Sequence, residues 1–137
     1  MRPAIISGLA TGFATGAWMY AEYALGLHDD PTGAGRWTGF IALVFPVIGA
    51  YWLAQRAPTS EFLAALRQGT AFGLSGGLMG GAAIYAYFTW TNPNFAIESQ
   101  KVDAAMQALI GFAGALILGM VLLPVLQALR RKRGANG

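Results

Sequence analysis

Residues 68–97 read QGTAFGLSGGLMGGAAIYAYFTWTNPNFAI, an uncharged stretch whose first half carries glycine at every fourth position. The repeated residues are Gly69, Gly73, Gly77 and Gly81. Residues four apart lie on one face of an α-helix. The stretch therefore predicts a helix with a face almost free of side chains, against which another helix backbone can pack closely.

Two other uncharged stretches carry the same spacing of small residues. These residues are Gly8, Gly12 and Gly16 near the amino terminus, and Gly111, Ala115 and Gly119 near the carboxyl terminus. Because apolar burial does not drive helices together in lipid, close packing at such faces is a main source of association. We expect most of these faces to meet inside a helix bundle. The alternative is that surplus small surface around Gly76–Gly81 receives a partner helix, a pigment or a lipid.

The charged residues divide the chain into four uncharged stretches. The sequence is 55% hydrophobic and 11% charged, with a mean hydropathy of +0.49, which is unlike an ordinary soluble domain. The shortest stretches would reach roughly 28 Å as helices, close to the hydrocarbon thickness of about 30 Å. The sequence thus predicts an all-α integral membrane protein with a single domain, 1–137. Its four transmembrane helices are expected at about 3–26, 36–55, 64–91 and 103–129.

The distribution of basic residues predicts the orientation of these helices. With four spans, the side that holds both termini carries Arg2, Arg56, Arg67, Arg130, Arg131, Lys132 and Arg133. The other side carries only Arg36 and Lys101. Since basic residues accumulate on the cytoplasmic side, both termini are expected in the cytoplasm, with the protein in a bacterial inner membrane.

Aromatic residues are expected at the two membrane interfaces of this topology. The residues toward the outer interface are Trp18, Tyr20, Tyr23, Trp37, Tyr85, Tyr87 and Trp90, and those toward the inner interface are Tyr51 and Trp52. Aromatic side chains at this level anchor helices among the lipid headgroups. We expect that role for them rather than stacking on a ligand.

Prolines distinguish the second and fourth stretches from the first and third. Pro46 and Pro124 lie inside the apolar stretches and are expected to bend those helices. The chain therefore predicts two helical hairpins, each a glycine-striped helix followed by a proline-bearing one. A parallel repeat about the membrane normal would explain this pattern, and chance similarity between apolar segments explains it equally well.

The first stretch has features of a transmembrane helix and of a signal peptide. Arg2 precedes an apolar run, and small residues recur around Ala21 and Ala24, as at cleavage sites. The glycine spacing suits helix packing, however, and retention of this segment places the basic carboxyl terminus inside. We therefore expect a first transmembrane helix, with cleavage as the alternative.

Two residues suggest a polar or ligand-binding site. Glu22, about one turn before the first span ends, would be a proton or cation site if it were buried in the membrane. Its place at the outer end of the span favours instead a solvated or hydrogen-bonded acid at the interface. His28, followed by two aspartates, could bind a cation or a metal-centred pigment, although a solvated turn is the simpler interpretation.

The chain lacks the motifs of common enzyme classes. It contains no cysteine, which excludes disulfides, thiolate catalysis and cysteine-ligated metal sites. It also has no HExxH, no GxxxxGK[ST], and no set of serine, histidine and acid. We therefore expect no catalytic residues, no metal site and no cofactor. The basic residues form no patch interleaved with aromatic residues, so no nucleic-acid partner is expected.

A basic run follows the last span. Arg130, Arg131, Lys132 and Arg133 are expected to attract anionic lipid headgroups, at about 1 kcal/mol for each residue near the surface. A plain stop-transfer anchor explains the run as well.

The middle of the chain resembles a known family. Residues 62–69 read FLAALRQG, and the helix that follows leads to YAY at 85–87 and NPNF at 92–95. These elements are similar to the bacterial membrane family catalogued as domain of unknown function 4199. The resemblance implies a bacterial four-helix inner-membrane protein, and it implies no activity and no catalytic residues.

Short loops, surplus small surface and absent chemistry together suggest a non-enzymatic accessory or scaffold subunit. Its helices would pack against membrane lipids and against other transmembrane subunits of a larger bacterial complex, such as a respiratory or photosynthetic one. The alternative is a small oligomeric transporter or channel. The polar residues within the spans are mainly Thr11, Thr15, Thr70, Ser75 and Gln107, which is sparse for a conduction path.

Overall fold

The computed structural model describes residues 1–27, 35–93 and 103–135, with side chains except at 35–36 and 133–135. The described residues form helices and no strand, which confirms the predicted all-α class. The helices are α1 Arg2–Ala24, α2 Gly35–Thr38, α3 Val44–Arg56, α4 Phe62–Ala86 and α5 Ala104–Ala135. A 3-10 segment, Gly39–Leu43, joins α2 to α3, and a π-helical turn, Tyr87–Thr91, continues α4.

The first helix has a clear start and a clear end. Pro3 lies in its first turn, where the missing N–H has no intrahelical partner to lose and the fixed φ already suits a helix. After Ala24 the chain reaches Gly26, whose φ of +69° is in the left-handed region that favours glycine. The helix therefore ends where the backbone turns out of the right-handed conformation.

The segment predicted as one helix at 36–55 consists of three successive pieces. Pro46 lies in the first turn of α3, and the change from 3-10 to α geometry occurs just before it. A proline ring clashes with the carbonyl group four residues earlier in a regular α-helix. The effect of Pro46 is thus a change of helix type over Gly39–Leu43, where the sequence had predicted a bend within a single helix.

The helices form two hairpins that lie side by side. Antiparallel α1 and α3 make one hairpin, antiparallel α4 and α5 make the other, and α4 also packs along α1 while α3 packs against α5. Helices α1 and α4 are parallel neighbours, with Gly8 and Gly12 opposite Gly76 and Gly80. The repeat about the membrane normal stays a prediction.

A close-packed core lies in the half of the bundle that holds the amino terminus of α1 and the carboxyl terminus of α3. Its buried residues are Ala4, Ala50, Leu53, Ala54, Ala71, Phe72 and Leu123. All four long helices contribute to it. We call this half the inner half, and the half containing Ala24 and Tyr87 the outer half.

Two segments of the described chain are long and apolar enough to cross a membrane. They are Gly39–Arg56, with a mean hydropathy of 1.3, and Ala104–Lys132, with a mean hydropathy of 2.5. Helices α1 and α4 do not reach this level. Their many glycines and hydroxyl-bearing residues lower the mean hydropathy, since glycine adds no apolar side chain.

Candidate functional site

The glycines of α1 lie directly against the backbone of α4. A methyl group added to Gly12 would overlap the carbonyl oxygen of Gly76 and would lie 2.9 Å from the nitrogen of Gly80. One added to Gly8 would overlap the Phe72 carbonyl oxygen. These two helices therefore approach so closely that no Cβ fits between them.

A second set of glycines brings α4 against α5. An added Cβ on Gly73 would lie 2.8 Å from the Ala115 carbonyl oxygen, and one on Gly119 would lie 3.0 Å from the Cα of Gly73. Gly69 and Gly77 make the same kind of approach to α5, at Gly119 and Phe112. Helix α4 thus has two small faces, and both lie inside the bundle.

The small surface around Gly76–Gly81 lies in these interfaces. Gly76 and Gly80 face Gly8 and Gly12 on α1, and Gly81 faces Ala108 on α5. The structure therefore gives most of this surface partners within the chain, and the rest lines a cavity.

A cavity of about 340 Å³ opens between α1, the 3-10 segment, α4 and α5. We call it the central cleft. Its lining residues are Thr11, Gly12, Thr15, Ala42, Leu43, Pro46, Phe72, Gly73, Gly76, Gly77, Gly80, Ile84, Gly111, Gly114, Ala115 and Leu118. Glycine backbone forms its floor, because α4 has no side chains there to fill the space.

The central cleft has an open side at Gly114. A Cβ added there would meet no heavy atom within 4 Å, and the residue itself is exposed. The cleft wall contains two hydroxyl groups, and the Oγ1 of Thr15 donates a 3.0 Å hydrogen bond to the Thr11 carbonyl oxygen within the same helix. The lining is therefore apolar in character and suited to hydrocarbon or aromatic groups.

The side chain of Glu22 is buried, with only 5% of its surface exposed. Of the two forms expected at the interface, solvated or hydrogen-bonded, burial contradicts the solvated one. Glu22 lies about five helical turns beyond the buried Ala4, so both residues fall on the face of α1 that packs inside the bundle. That spacing is the signal in the sequence from which its burial follows.

Tyr87 is completely buried at the outer end of the bundle. Its ring contacts Tyr20 edge-on at 5.3 Å and Phe88 at 5.0 Å between centroids. Its hydroxyl accepts a 3.3 Å hydrogen bond from the Asn92 Nδ2. Tyr87 is thus a core residue and not part of an interfacial belt. Tyr87 lies about five helical turns beyond the buried Gly69, so the spacing that accounts for Glu22 accounts for its burial as well.

The other residue of the predicted polar site, His28, lies outside the described residues. Neither the solvated turn expected at His28 nor the alternative of a cation or pigment site is therefore tested.

A cluster of hydrogen bonds centred on Gln127 joins α5 to the chain between α3 and α4 at the inner end of the bundle. We call this cluster the polar clasp. The Gln127 side chain is 4% exposed; its Nε2 donates to the Ala57 carbonyl oxygen at 3.1 Å and to the Gln68 Oε1 at 3.3 Å. Its Oε1 accepts a 3.2 Å hydrogen bond from the Thr59 backbone N–H. The clasp fastens the connection between α3 and α4 to α5, and sequence spacing had not indicated it.

The basic run at the end of α5 contacts the protein itself. Arg130 is half-buried, and its Nη1 donates to the carbonyl oxygens of Ala54 and, at 3.2 Å, of Gln55. Arg131 donates to the Ser60 carbonyl oxygen at 3.2 Å. The expectation that these residues serve lipid headgroups is therefore incomplete, since both also fasten α5 to the end of α3. Lys132 is exposed, and the side chain of Arg133 is outside the described part.

The described residues do not bring reactive groups together. Within 1–27, 35–93 and 103–135, no three residues among His, Cys, Asp and Glu lie close enough to hold a metal ion. The buried hydroxyls of Ser7 and Ser75 donate to backbone carbonyl oxygens, at 2.9 Å to Gly49 and 2.8 Å to Ala71. This arrangement can bind apolar groups by contact.

Comparison with known proteins finds one family. The family described as "Protein of unknown function (DUF4199)" matches residues 7–108. The match covers α1 to α4 and the beginning of α5. No curated protein and no solved structure matches the chain.

Proposed function

We propose a function for this chain, which belongs to the DUF4199 family of proteins of unknown function, on the basis of its own geometry. We infer that it is an integral protein of a bacterial inner membrane with four spans. The two most apolar segments are only 17% and 11% buried, which is unlike the core helix of a soluble protein and supports this proposal. A soluble protein with so much exposed apolar surface would associate or aggregate, whereas a bilayer solvates that surface.

The packing supports four spans. Helix α4 contacts α5 along its length, from Gly69 opposite Gly119 to Gly81 opposite Ala108. Helix α1 runs beside α4 in the same direction. If α5 crosses the membrane, α4 and α1 cross beside it, although their mean hydropathy is lower.

The charge distribution supports an orientation with both termini in the cytoplasm. The hydrogen bonds of Arg130 and Gln127 bring the ends of α3 and α5 and the start of α4 to the same end of the bundle. Arg56 and Arg67 belong to this inner end. We assign the inner half to the cytoplasmic side because basic residues accumulate there.

This orientation can be tested with single cysteines, since the chain has none. Leu25→Cys at the outer end and Ser60→Cys at the inner end both replace exposed residues. A membrane-impermeant maleimide applied to intact spheroplasts should label only Leu25→Cys. Labelling of Ser60→Cys from outside would contradict the orientation.

We propose that the protein acts as a non-enzymatic accessory or scaffold subunit, which binds a transmembrane helix of a larger complex. The central cleft carries this proposal. A dry apolar cavity of about 150 Å³ can hold a benzene ring, so a cleft of about 340 Å³ has room for two side chains of that size. Side chains that insert between residues of a neighbouring helix in this way hold the two helices together.

The polar groups of the spans favour this proposal over the transporter alternative. The hydroxyls of Thr15, Thr70 and Ser75 donate to carbonyl oxygens of their own helices, at 3.0, 2.9 and 2.8 Å. A conduction path needs polar groups that face the permeant species. Here these three hydroxyl groups donate to backbone carbonyl oxygens of their own helices instead.

The test fills the central cleft without disturbing the bundle. Gly114→Phe places a ring at the open side, where a Cβ meets nothing within 4 Å. Val121→Phe is the matched control, because Val121 is exposed on the same helix but does not line the cleft. On native gels of mild-detergent extracts, the wild type and Val121→Phe should migrate in a discrete larger complex, and Gly114→Phe should migrate alone at normal yield. An intact complex in Gly114→Phe, or a lone wild-type chain, would overturn the proposal.

A further inference from the structure

A smaller cavity lies at the inner end, between α3 and α5. It has a volume of about 160 Å³ and is lined by Tyr51, Ala54, Gln55, Leu126, Leu129 and Arg130. Leucine and alanine side chains form its apolar walls, while a phenol, an amide and a guanidinium supply polar groups. We call it the inner groove.

Arg130 is held at the inner groove by the carboxyl end of α3. Its Nη1 donates to the carbonyl oxygens of Ala54 and Gln55, which belong to the last turn of that helix and lack intrahelical partners. Carbonyl groups orient a guanidinium without neutralising its full charge. A guanidinium has five N–H donors, and the bonds to Ala54 and Gln55 use those of Nη1 alone.

The charge at this end is strongly unbalanced. The cytoplasmic side holds seven Lys and Arg residues, and Glu61 is the one acid in the segments assigned to that side. A bound anion would complement this charge better than any acidic residue of the same segments.

Aromatic residues place the inner groove at the level of the lipid headgroups. Tyr51 and Trp52 are exposed on the last turns of α3, and the Arg56 guanidinium lies 5.5 Å from the centre of the Trp52 ring. Exposed Trp and Tyr side chains are typical of the interface between hydrocarbon and headgroups. The groove therefore has a cation at headgroup depth and leucines toward the hydrocarbon.

We propose that the inner groove binds one anionic phospholipid of the cytoplasmic leaflet. Its phosphate contacts Arg130, with Gln55 and Tyr51 as further donors, and the upper part of one acyl chain lies along Leu126 and Leu129. This site rests on the four-span orientation proposed above. It gives Arg130 two roles, because the same side chain fastens α5 to α3 and receives the phosphate.

The experiment uses the full chain in mild detergent and native mass spectrometry, titrated with dioleoyl phosphatidylglycerol or dioleoyl phosphatidylcholine. The wild type should retain one phosphatidylglycerol in preference to phosphatidylcholine. Arg130→Gln should lower the affinity at least about fivefold. Lys132→Gln removes the same charge from an exposed position and should lower it by less than about twofold because of screening.

A second variant guards against loss of the fold in Arg130→Gln. Leu129→Trp fills the groove from an exposed position, keeps the guanidinium, and should also abolish the retained lipid. Equal binding of both lipids by the wild type, equal losses in Arg130→Gln and Lys132→Gln, or displacement by inorganic phosphate would each overturn the proposal. Cysteine labelling that supports the orientation, combined with no lipid preference, would refute the lipid site alone.

Discussion

The inner and outer halves of the bundle contain the same helices but pack differently. In the inner half, Leu53, Phe72 and Leu123 belong to the buried core, and the Gln127 clasp fastens the ends. From Phe72 toward the outer end, the same set of helices lines the central cleft of about 340 Å³. A shared glycine-rich helix, α4, runs through both halves.

The second segment of the chain accounts for this difference. In the inner half it is a regular α-helix that buries Ala50, Leu53 and Ala54. In the outer half it is the 3-10 segment Gly39–Leu43, which buries none of its residues. The central cleft therefore lies beside the part of this segment that lacks regular α-helical geometry.

Substitution of a glycine at the tightest contact should have the largest effect. Gly73→Leu forces a side chain against the Ala115 backbone, 2.8 Å from an added Cβ, and should cost about 3 kcal/mol or more. Gly114→Leu, with nothing within 4 Å, is the matched control. The measurement is yield and thermal unfolding in mild detergent. Equal behaviour of the two variants would show that the glycine contacts do not hold the bundle together.

Removal of the polar clasp should have an intermediate effect. Gln127→Leu keeps a similar volume but leaves the Thr59 N–H without its acceptor, at an expected cost of about 1–3 kcal/mol. Thr70→Val is the control, because the Thr70 hydroxyl bonds only to Leu66 in its own helix. If thermal unfolding of Gln127→Leu matched that of Thr70→Val, the inner half would owe its closure to apolar packing alone.

The regular parts of the fold follow from sequence spacing. The four-residue repeat of glycine identifies the small faces of α1 and α4, since helical geometry alone places such residues together. Spacing cannot say which helix covers which face. The alternative of a surplus surface at Gly76 and Gly80 stayed open because the residues that cover them, Gly8 and Gly12, are more than sixty positions away.

The irregular parts do not follow from spacing. The 3-10 segment depends on how the chain before Pro46 relieves a backbone clash, and several local geometries can do so. By contrast, Glu22 and Tyr87 could have been placed by spacing, since each lies about five turns beyond a buried residue, Ala4 or Gly69. The expectation of a solvated or hydrogen-bonded acid at the interface rested on the neighbours of Glu22 alone.

The smallest predicted effect separates hydrogen bonds between helices from those within a helix. In the inner half, the Ser7 Oγ donates to the Gly49 carbonyl oxygen of α3 at 2.9 Å, and Ser7→Ala should cost about 0.6 kcal/mol, as for other bonds between membrane helices. In the outer half, the Thr15 hydroxyl bonds only within α1, and Thr15→Val should change stability by less than about 0.5 kcal/mol. Thermal unfolding of both variants in one detergent gives the comparison. A larger loss of stability in Thr15→Val than in Ser7→Ala would mean that the hydroxyl groups of the central cleft stabilise the bundle. That result would contradict the proposed difference between the inner and outer halves.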